Sequence, residues 1–294
     1  DRCICLKTMK IPCRVITAEV NEKTKARLKD IYKKGIKPHI ALFYVGQDPL
    51  TDIFIAHKRA AAEALGMKLS VFRYEKTPMF ETFAKELRRV SINKDYHAVI
   101  IQRPLPAELR SPTIDEFIPL VKEVESQKYK SPYVSPVGLS TLSILKYVHS
   151  DFKKWAVGKA EAEFFKRNFK KKFVVLAGRG ETTGQPIANT LVRYKMALVI
   201  THSETPDPSI FYKQADIIIT TTGHKILTPE NIKPGAILIN FGYGRVDNKT
   251  CGDYSDAEVD GVAGFYTPTI GGTGPLMIAY LMRNVVEAYA RQAK

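Results

Sequence analysis

The sequence predicts a two-lobed α/β protein: an N-terminal α/β lobe, a second lobe built as a doubly wound sheet, and a C-terminal helix that returns to the first. Three observations predict it. Short β-branched apolar runs alternate with helical segments in both halves of the chain, as in parallel sheets covered on both faces. A glycine-punctuated turn, Gly178 to Gly184, follows the first such run of the second half. The 294 residues, 45% hydrophobic, suffice for two medium cores.

The elements follow in order. From Glu19 to Lys34 charged and apolar residues recur at helical spacing, and Gly35 reads as the stop. His39 to Gly46 is β-branched and aromatic, the Ala-rich stretch from Asp52 to Gly66 is helical, and Lys68 to Tyr74 alternates like a strand. Thr82 to Ser91 gives another helix, and His97 to Gln102 another short strand, closed by the prolines of "RPLP", which cannot continue a ladder. After irregular sequence from Val121 to Pro136, Gly138 to Val148 reads as a connecting helix.

The second series comprises Phe173 to Gly178, a helix from Gly184 to Tyr194, Ala197 to His202, a short helix, Ala215 to Gly223 and Ala236 to Gly242. A final helix runs from Leu276 to Gln292 and is expected to pack on the first lobe. Residues 1–8 precede Met9, where the pattern begins, and are read as an extension.

Composition excludes several classes. No apolar run approaches the ~20 residues of a membrane span, and the start lacks the apolar core of a signal peptide. Cys3, Cys5, Cys13 and Cys251 show no paired spacing and no companion histidines, against a metal centre or a disulfide framework; a cytoplasmic location is expected. The 45 Lys and Arg against 30 Asp and Glu give a formal +15, a field that attracts phosphorylated or carboxylate ligands, nucleic acid or anionic lipid. The basic stretch from Asp151 to Lys172 interleaves with Trp155, Phe164, Phe165 and Phe169. An amphipathic helix with a solvated basic face is favoured there over a nucleic-acid surface.

Gly178, Gly180 and Gly184 lie between a buried strand and a helix, where backbone amides and the positive helix end can hold a pyrophosphate, as in Rossmann-type dinucleotide sites. The spacing is one residue longer than the common motif, and turn glycines without a ligand are the alternative. NAD sites usually place an acid at the end of the next strand, to accept from the ribose hydroxyl. Here His202 and Ser203 stand instead, and with Arg179 they could surround a phosphate dianion, which favours NADP.

Several motifs coincide in order and spacing: "VGQDP", a lysine ten residues after its Asp, "QRPLP", "SPVG", "GRGETTGQP", "THS" and "TPTIGGTGP". From Met9 to the C-terminus the chain resembles the bifunctional methylenetetrahydrofolate dehydrogenase/cyclohydrolase family, most weakly between Val121 and Lys172. The resemblance implies a folate-binding catalytic domain over 9–148 and 275–294, an NADP-binding Rossmann domain over 149–274, tetrahydrofolate derivatives as substrates, a homodimer, and no metal.

It implies Lys58 as the proton-handling residue, which on its own would read as a helix lysine reaching for solvent, with Gln102 orienting it. Phe54 and Glu125 fall at pterin-binding positions, and Gly271, Gly272 and Pro275 in the folate-side loop. Gly178, Arg179, Gly180, Gly184, Pro186, His202, Ser203, Thr222, Gly223, Gly242 and Ser135 fall on the cofactor side. The chain departs from the family where its usual tyrosine is Phe54, its "DVDG" is "EVES", its turn serine is Gly180 and its loop proline is Ile270. These changes gather on the folate side, so dehydrogenation, which needs chiefly alignment, is expected more firmly than hydrolysis, which also needs a positioned proton relay. A dehydrogenase-only member, and a non-catalytic basic protein binding RNA or a ribosomal partner, are the alternatives.

Overall fold

The computed structural model describes residues 8–31, 37–149, 159–246 and 249–292. In chain order its elements are β1 (Met9–Lys10), α1 (Cys13–Ile31), β2 (His39–Val45), α2 (Pro49–Ala64), β3 (Lys68–Tyr74), α3 (Phe80–Ile92), β4 (Ala98–Ile101), α4 (Pro136–Val148) and α5 (Lys159–Phe169). There follow β5 (Val174–Ala177), α6 (Gly184–Arg193), β6 (Leu198–Thr201), α7 (Ser209–Tyr212), β7 (Ile217–Thr220), β8 (Ile237–Asn240), β9 (Gly244–Val246), β10 (Lys249–Cys251), α8 (Asp256–Val259), β11 (Phe265–Tyr266) and α9 (Thr273–Gln292). The chain divides into two compact units, one of residues 18–136 and 278–294, the other of residues 1–17 and 137–277.

In the first unit β3, β2 and β4 form a parallel sheet with β2 in the middle. Alternation along β2 sorts its side chains to two faces. Ile40, Leu42 and Tyr44 join a core with Leu281, Met282, Val285 and Val286 of α9. Ala41, Phe43 and Val45 join another with Phe83, Leu87 and Val90 of α3. The C-terminal helix is thus packed on the N-terminal sheet as expected, each large aliphatic contributing about 1.5–3 kcal/mol of burial. Beyond β4 the chain is irregular but not loose: Val99 bridges Glu123 in parallel, and the Asn284 side-chain amide donates to the Val124 and Val134 carbonyls.

The second unit holds a parallel sheet in the order β1-β11-β8-β7-β5-β6. The chain leaves β5 for β6 on one side and returns to β7 on the other. This makes β5 a topological switch point, where ligands of open α/β sheets bind beyond the carboxyl ends of the strands. All four residues of β5, β7 and β8 are buried, which explains their unbroken apolar sequences.

Some elements differ from the sequence reading. Helix α1 begins at Cys13, six residues before the expected Glu19, because burial of Ile16 and Val20 outweighs the modest helix propensity of the β-branched Val15, Ile16 and Thr17. Its expected end at Lys34 and Gly35 lies outside the described residues. Helix α9 starts at Thr273 rather than Leu276, its first hydroxyl donating to the Asn240 carbonyl at 2.7 Å. Strands β1, β9, β10 and β11 and helix α8 were not expected; each has two to four residues, too few for a period to show. Residues 1–7 lie outside the described residues, but Thr8 is tied in, its hydroxyl donating to the Ala263 carbonyl and accepting from the Gly261 N–H.

Of the basic stretch, residues 151–158, including Trp155, lie outside the described residues. Helix α5 beyond them is amphipathic, with Phe165 and Phe169 buried and Lys166 and Arg167 exposed. Among the described residues no helix is long and apolar enough to cross a membrane.

Candidate functional site

Lys58 lies in the middle of α2, a helix fixed at its start by Asp48, whose carboxylate accepts from the Thr51 N–H at 2.8 Å and hydroxyl at 2.7 Å, with Pro49 in the first turn. The Lys58 side chain is only 11% exposed, so it does not reach out to solvent. Its Nζ donates to Gln102 Oε1 at 3.0 Å and stands 3.6 Å from Glu125 Oε1. Gln102 immediately follows β4 and donates from Nε2 to the Arg103 carbonyl at 2.9 Å. A carbonyl can only accept, so the Gln102 amide is fixed with its oxygen toward the lysine. Phe54 is one helical turn before Lys58, half-buried, so the two can share a face of α2.

Glu125 is held in turn by a residue the sequence reading missed. Glu123, 2% exposed, accepts the backbone N–H groups of Glu125 on one oxygen and of Gln127 and Lys128 on the other, at 2.9, 3.0 and 3.3 Å. Ser126, in the place where the family pattern has glycine, takes a positive φ of 63° and donates its hydroxyl to the Tyr133 carbonyl at 3.0 Å. Burial first, and then the neighbouring Glu125 carboxylate, push the Glu123 carboxyl up to about 7.

Apart from Ser135, the cofactor-side residues gather at the carboxyl ends of β5, β6, β7 and β8. Gly178 follows β5 with φ 107°, a backbone state that other residues rarely adopt. At Gly184, where α6 begins, a methyl group would overlap the Gly178 carbonyl, so strand end and helix start approach as only glycine allows. A Cβ on Gly180 would meet nothing within 4 Å, which leaves open space at the turn. The amides of the first turn of α6 and the helix dipole face this end of the sheet, and Pro186 is buried within that turn. The residues present therefore fit a pyrophosphate.

Thr222 and Gly223 follow β7, and Gly242 follows β8. A second missed residue joins them: the fully buried Asp253 accepts from the Thr222 N–H at 2.8 Å and the Gly223 N–H at 2.7 Å. A methyl group on Gly242 would overlap its carboxylate. Nothing in the sequence distinguished Asp253, which lies just past the β9-β10 hairpin that returns it to the sheet.

Arg179 and His202 do come close to one another, through a third missed residue. Glu204 Oε2 lies 3.0 Å from Arg179 Nη2 and 3.7 Å from His202 Nδ1. The Glu204 N–H donates to His202 Nδ1 at 3.3 Å. His202 and Ser203 do stand at the strand end as read from the sequence, and an acid follows directly, two residues beyond His202. Ser203 is exposed beside it. Ser135 is buried just before α4, and Gly271 and Gly272 make the turn before α9, whose first turn contains the exposed Pro275. Gly271, Gly272 and Pro275 belong to the unit of residues 1–17 and 137–277, whereas Ser135 belongs to the other, with Phe54, Lys58, Gln102 and Glu125. Among the described residues no group of three or more His, Cys, Asp or Glu could hold a metal ion.

Two sequence profiles match the chain: Tetrahydrofolate dehydrogenase/cyclohydrolase, catalytic domain, over residues 11–125, and its NAD(P)-binding domain over residues 162–293. The bifunctional protein FolD of Lysinibacillus sphaericus is 30% identical over 275 residues, 93% of this chain and 94% of that protein. That of Janthinobacterium is 29% identical over 286 residues, covering 95% and 96%. Among solved structures, the bifunctional FolD of Campylobacter jejuni superposes with a TM-score of 0.85 at 23% identity, over 97% of this chain and 99% of that one. The Trypanosoma brucei methylenetetrahydrofolate dehydrogenase-cyclohydrolase, complexed with NADP cofactor and inhibitor, gives 0.83 at 21% identity, over 97% and 98%. At such identities these two superpositions establish the fold.

Proposed function

The chain belongs to the tetrahydrofolate dehydrogenase/cyclohydrolase family, and from that premise we propose that it oxidises 5,10-methylenetetrahydrofolate with NADP+ and hydrolyses the resulting methenyltetrahydrofolate to 10-formyltetrahydrofolate. The observation that carries the reading is the Lys58 ammonium held at 3.0 Å by an amide oxygen whose orientation is fixed. Bound NADP+ supplies the hydride acceptor for the first step.

For that step the chain has to align two partners. The turn between β5 and α6 offers amides to a pyrophosphate, and Thr222, Gly223 and Gly242, braced by Asp253, shape the neighbouring strand ends. Phe54 offers a ring for the pterin, and Glu125 a carboxylate that can accept its N–H groups. For the second step Lys58 moves protons as water adds to the methenyl carbon and one C–N bond opens. Gln102 holds the amine in place, and Glu125 supplies the second polar contact that Phe54, lacking a hydroxyl, does not. Hydrolysis is retained on this account.

We further propose a homodimer in the cytosol, the first carried from the family, the second from the absence of paired cysteine spacing. The basic surface suits the phosphates of the cofactor and the carboxylates of folate.

The test is absorbance-monitored turnover of methylenetetrahydrofolate with NADP+, and separately hydrolysis of isolated methenyltetrahydrofolate. Both reactions are expected. A folded protein that performs neither would overturn the proposal.

A further inference from the structure

Glu204 is the one member of the β5–β6 strand-end cluster that the cofactor reading leaves without a task, and the inference drawn from it rests on that reading. The acid lies about two dozen residues beyond the glycine turn, close to the ~20-residue offset at which dinucleotide sites carry the acid that accepts from a ribose 2′-hydroxyl. Its carboxylate is 3.0 Å from the Arg179 guanidinium and 3.7 Å from the His202 ring, the two groups best suited here to a 2′-phosphate. We propose that Glu204 sets how strongly this chain discriminates between NADP and NAD, by occupying Arg179 and by standing as a negative charge beside the 2′-position.

The chemistry of the two ligands differs at that point. A ribose 2′-hydroxyl can donate to the carboxylate, whereas a 2′-phosphate can only accept and is repelled. Arg179 answers either ligand, pairing with Glu204 in the one case and turning to the phosphate in the other. The pair is open to exchange because both side chains are more than half exposed, 58% and 75%, and an exposed ion pair is held weakly. The backbone beneath it is more firmly set. The His202 N–H donates to Thr205 Oγ1 at 2.9 Å, and the Thr205 N–H returns to the His202 carbonyl at 2.9 Å. Glu204 rides on this turn, so a bound 2′-phosphate can take Arg179 from it without moving the carboxylate far. The result is a site that admits NADP with its preference over NAD held down.

The experiment is calorimetric binding of adenosine 2′,5′-bisphosphate and of 5′-AMP to the full chain, as wild type, Glu204→Gln and Arg179→Met. Glutamine keeps the size and an accepting oxygen but removes the charge, and at an exposed turn it does not threaten folding. Glu204→Gln is expected to bind the bisphosphate about tenfold more tightly, as loss of a nearby, partly screened charge predicts, with 5′-AMP close to unchanged and the gain shrinking as salt is raised. Arg179→Met is expected to weaken the bisphosphate and spare 5′-AMP. If both probes bind and Glu204→Gln leaves their ratio as in the wild type, the role of Glu204 is refuted while the cofactor reading stands. If neither probe binds any form of the protein, the cofactor reading fails and the role of Glu204 with it.

Discussion

The Lys58 cluster and the Arg179 cluster both set a cation beside a glutamate, yet they are held in opposite ways. Lys58 is 11% exposed, fixed by an oriented amide, and faces Glu125, whose backbone is gripped by the buried Glu123. Arg179 and Glu204 are largely exposed and tied chiefly to each other. Burial fixes geometry and raises the cost of any mismatch; exposure leaves a pair weak and exchangeable. The contrast suits the two tasks proposed for them. A proton relay needs one arrangement, whereas recognition at a nucleotide's edge tolerates exchange of partners.

Substitutions can break this contrast in graded steps. The largest effect is expected at Gln102. In Gln102→Leu the Lys58 ammonium loses its oriented acceptor, and steady-state hydrolysis of methenyltetrahydrofolate should fall by about 10²-fold or more; a loss below threefold would show that Glu125 alone positions the lysine. Next, Gly184→Val would drive a branched side chain into the Gly178 carbonyl. Denaturant unfolding should show a loss of about 1–3 kcal/mol, and wild-type stability would contradict the close approach.

Glu123 sharpens the comparison through pH. Its carboxyl is raised from the usual 4.5 to about 7, so the folded state holds its proton where the unfolded chain has released it. The stability this provides is complete below about 4.5 and is lost as pH rises through about 7. Glu123→Gln places an NH₂ against backbone N–H donors and should cost about 1–3 kcal/mol. The gap between wild type and variant should narrow as pH rises across that window, and a widening gap would reverse the assigned sign. Smallest of all, Glu204→Ala should change folding stability by about 1 kcal/mol or less, so a larger loss would mean that the exposed pair supports the fold.

The same contrast separates what could be read in the sequence from what could not. The apolar runs of β2, β5, β7 and β8 announced themselves because both faces are buried, and the glycines at 178 and 184 because strand and helix must nearly touch. Lys58 was legible through the motif around it. Its inward turn toward Gln102 was implied by the resemblance alone, since helical spacing cannot say which way a long side chain bends. Glu123 and Asp253 stayed hidden because their work is to accept backbone N–H groups, which leaves no period and no motif. Glu204 escaped because the discriminating acid was sought at the strand end, whereas the turn after β6 delivers it two residues later. Strands β1 and β11 are two residues each and pair across 256 positions, a contact no local pattern encodes.

The most direct test of the central claim follows NADPH and methenyltetrahydrofolate together during turnover of methylenetetrahydrofolate by wild type and Lys58→Met. If one site performs both steps with Lys58 as the proton carrier, the wild type will form NADPH with little methenyl product in solution. The variant will still reduce NADP+ and will accumulate methenyltetrahydrofolate in step with NADPH. A folded Lys58→Met that hydrolyses the methenyl substrate at the wild-type rate would contradict the account.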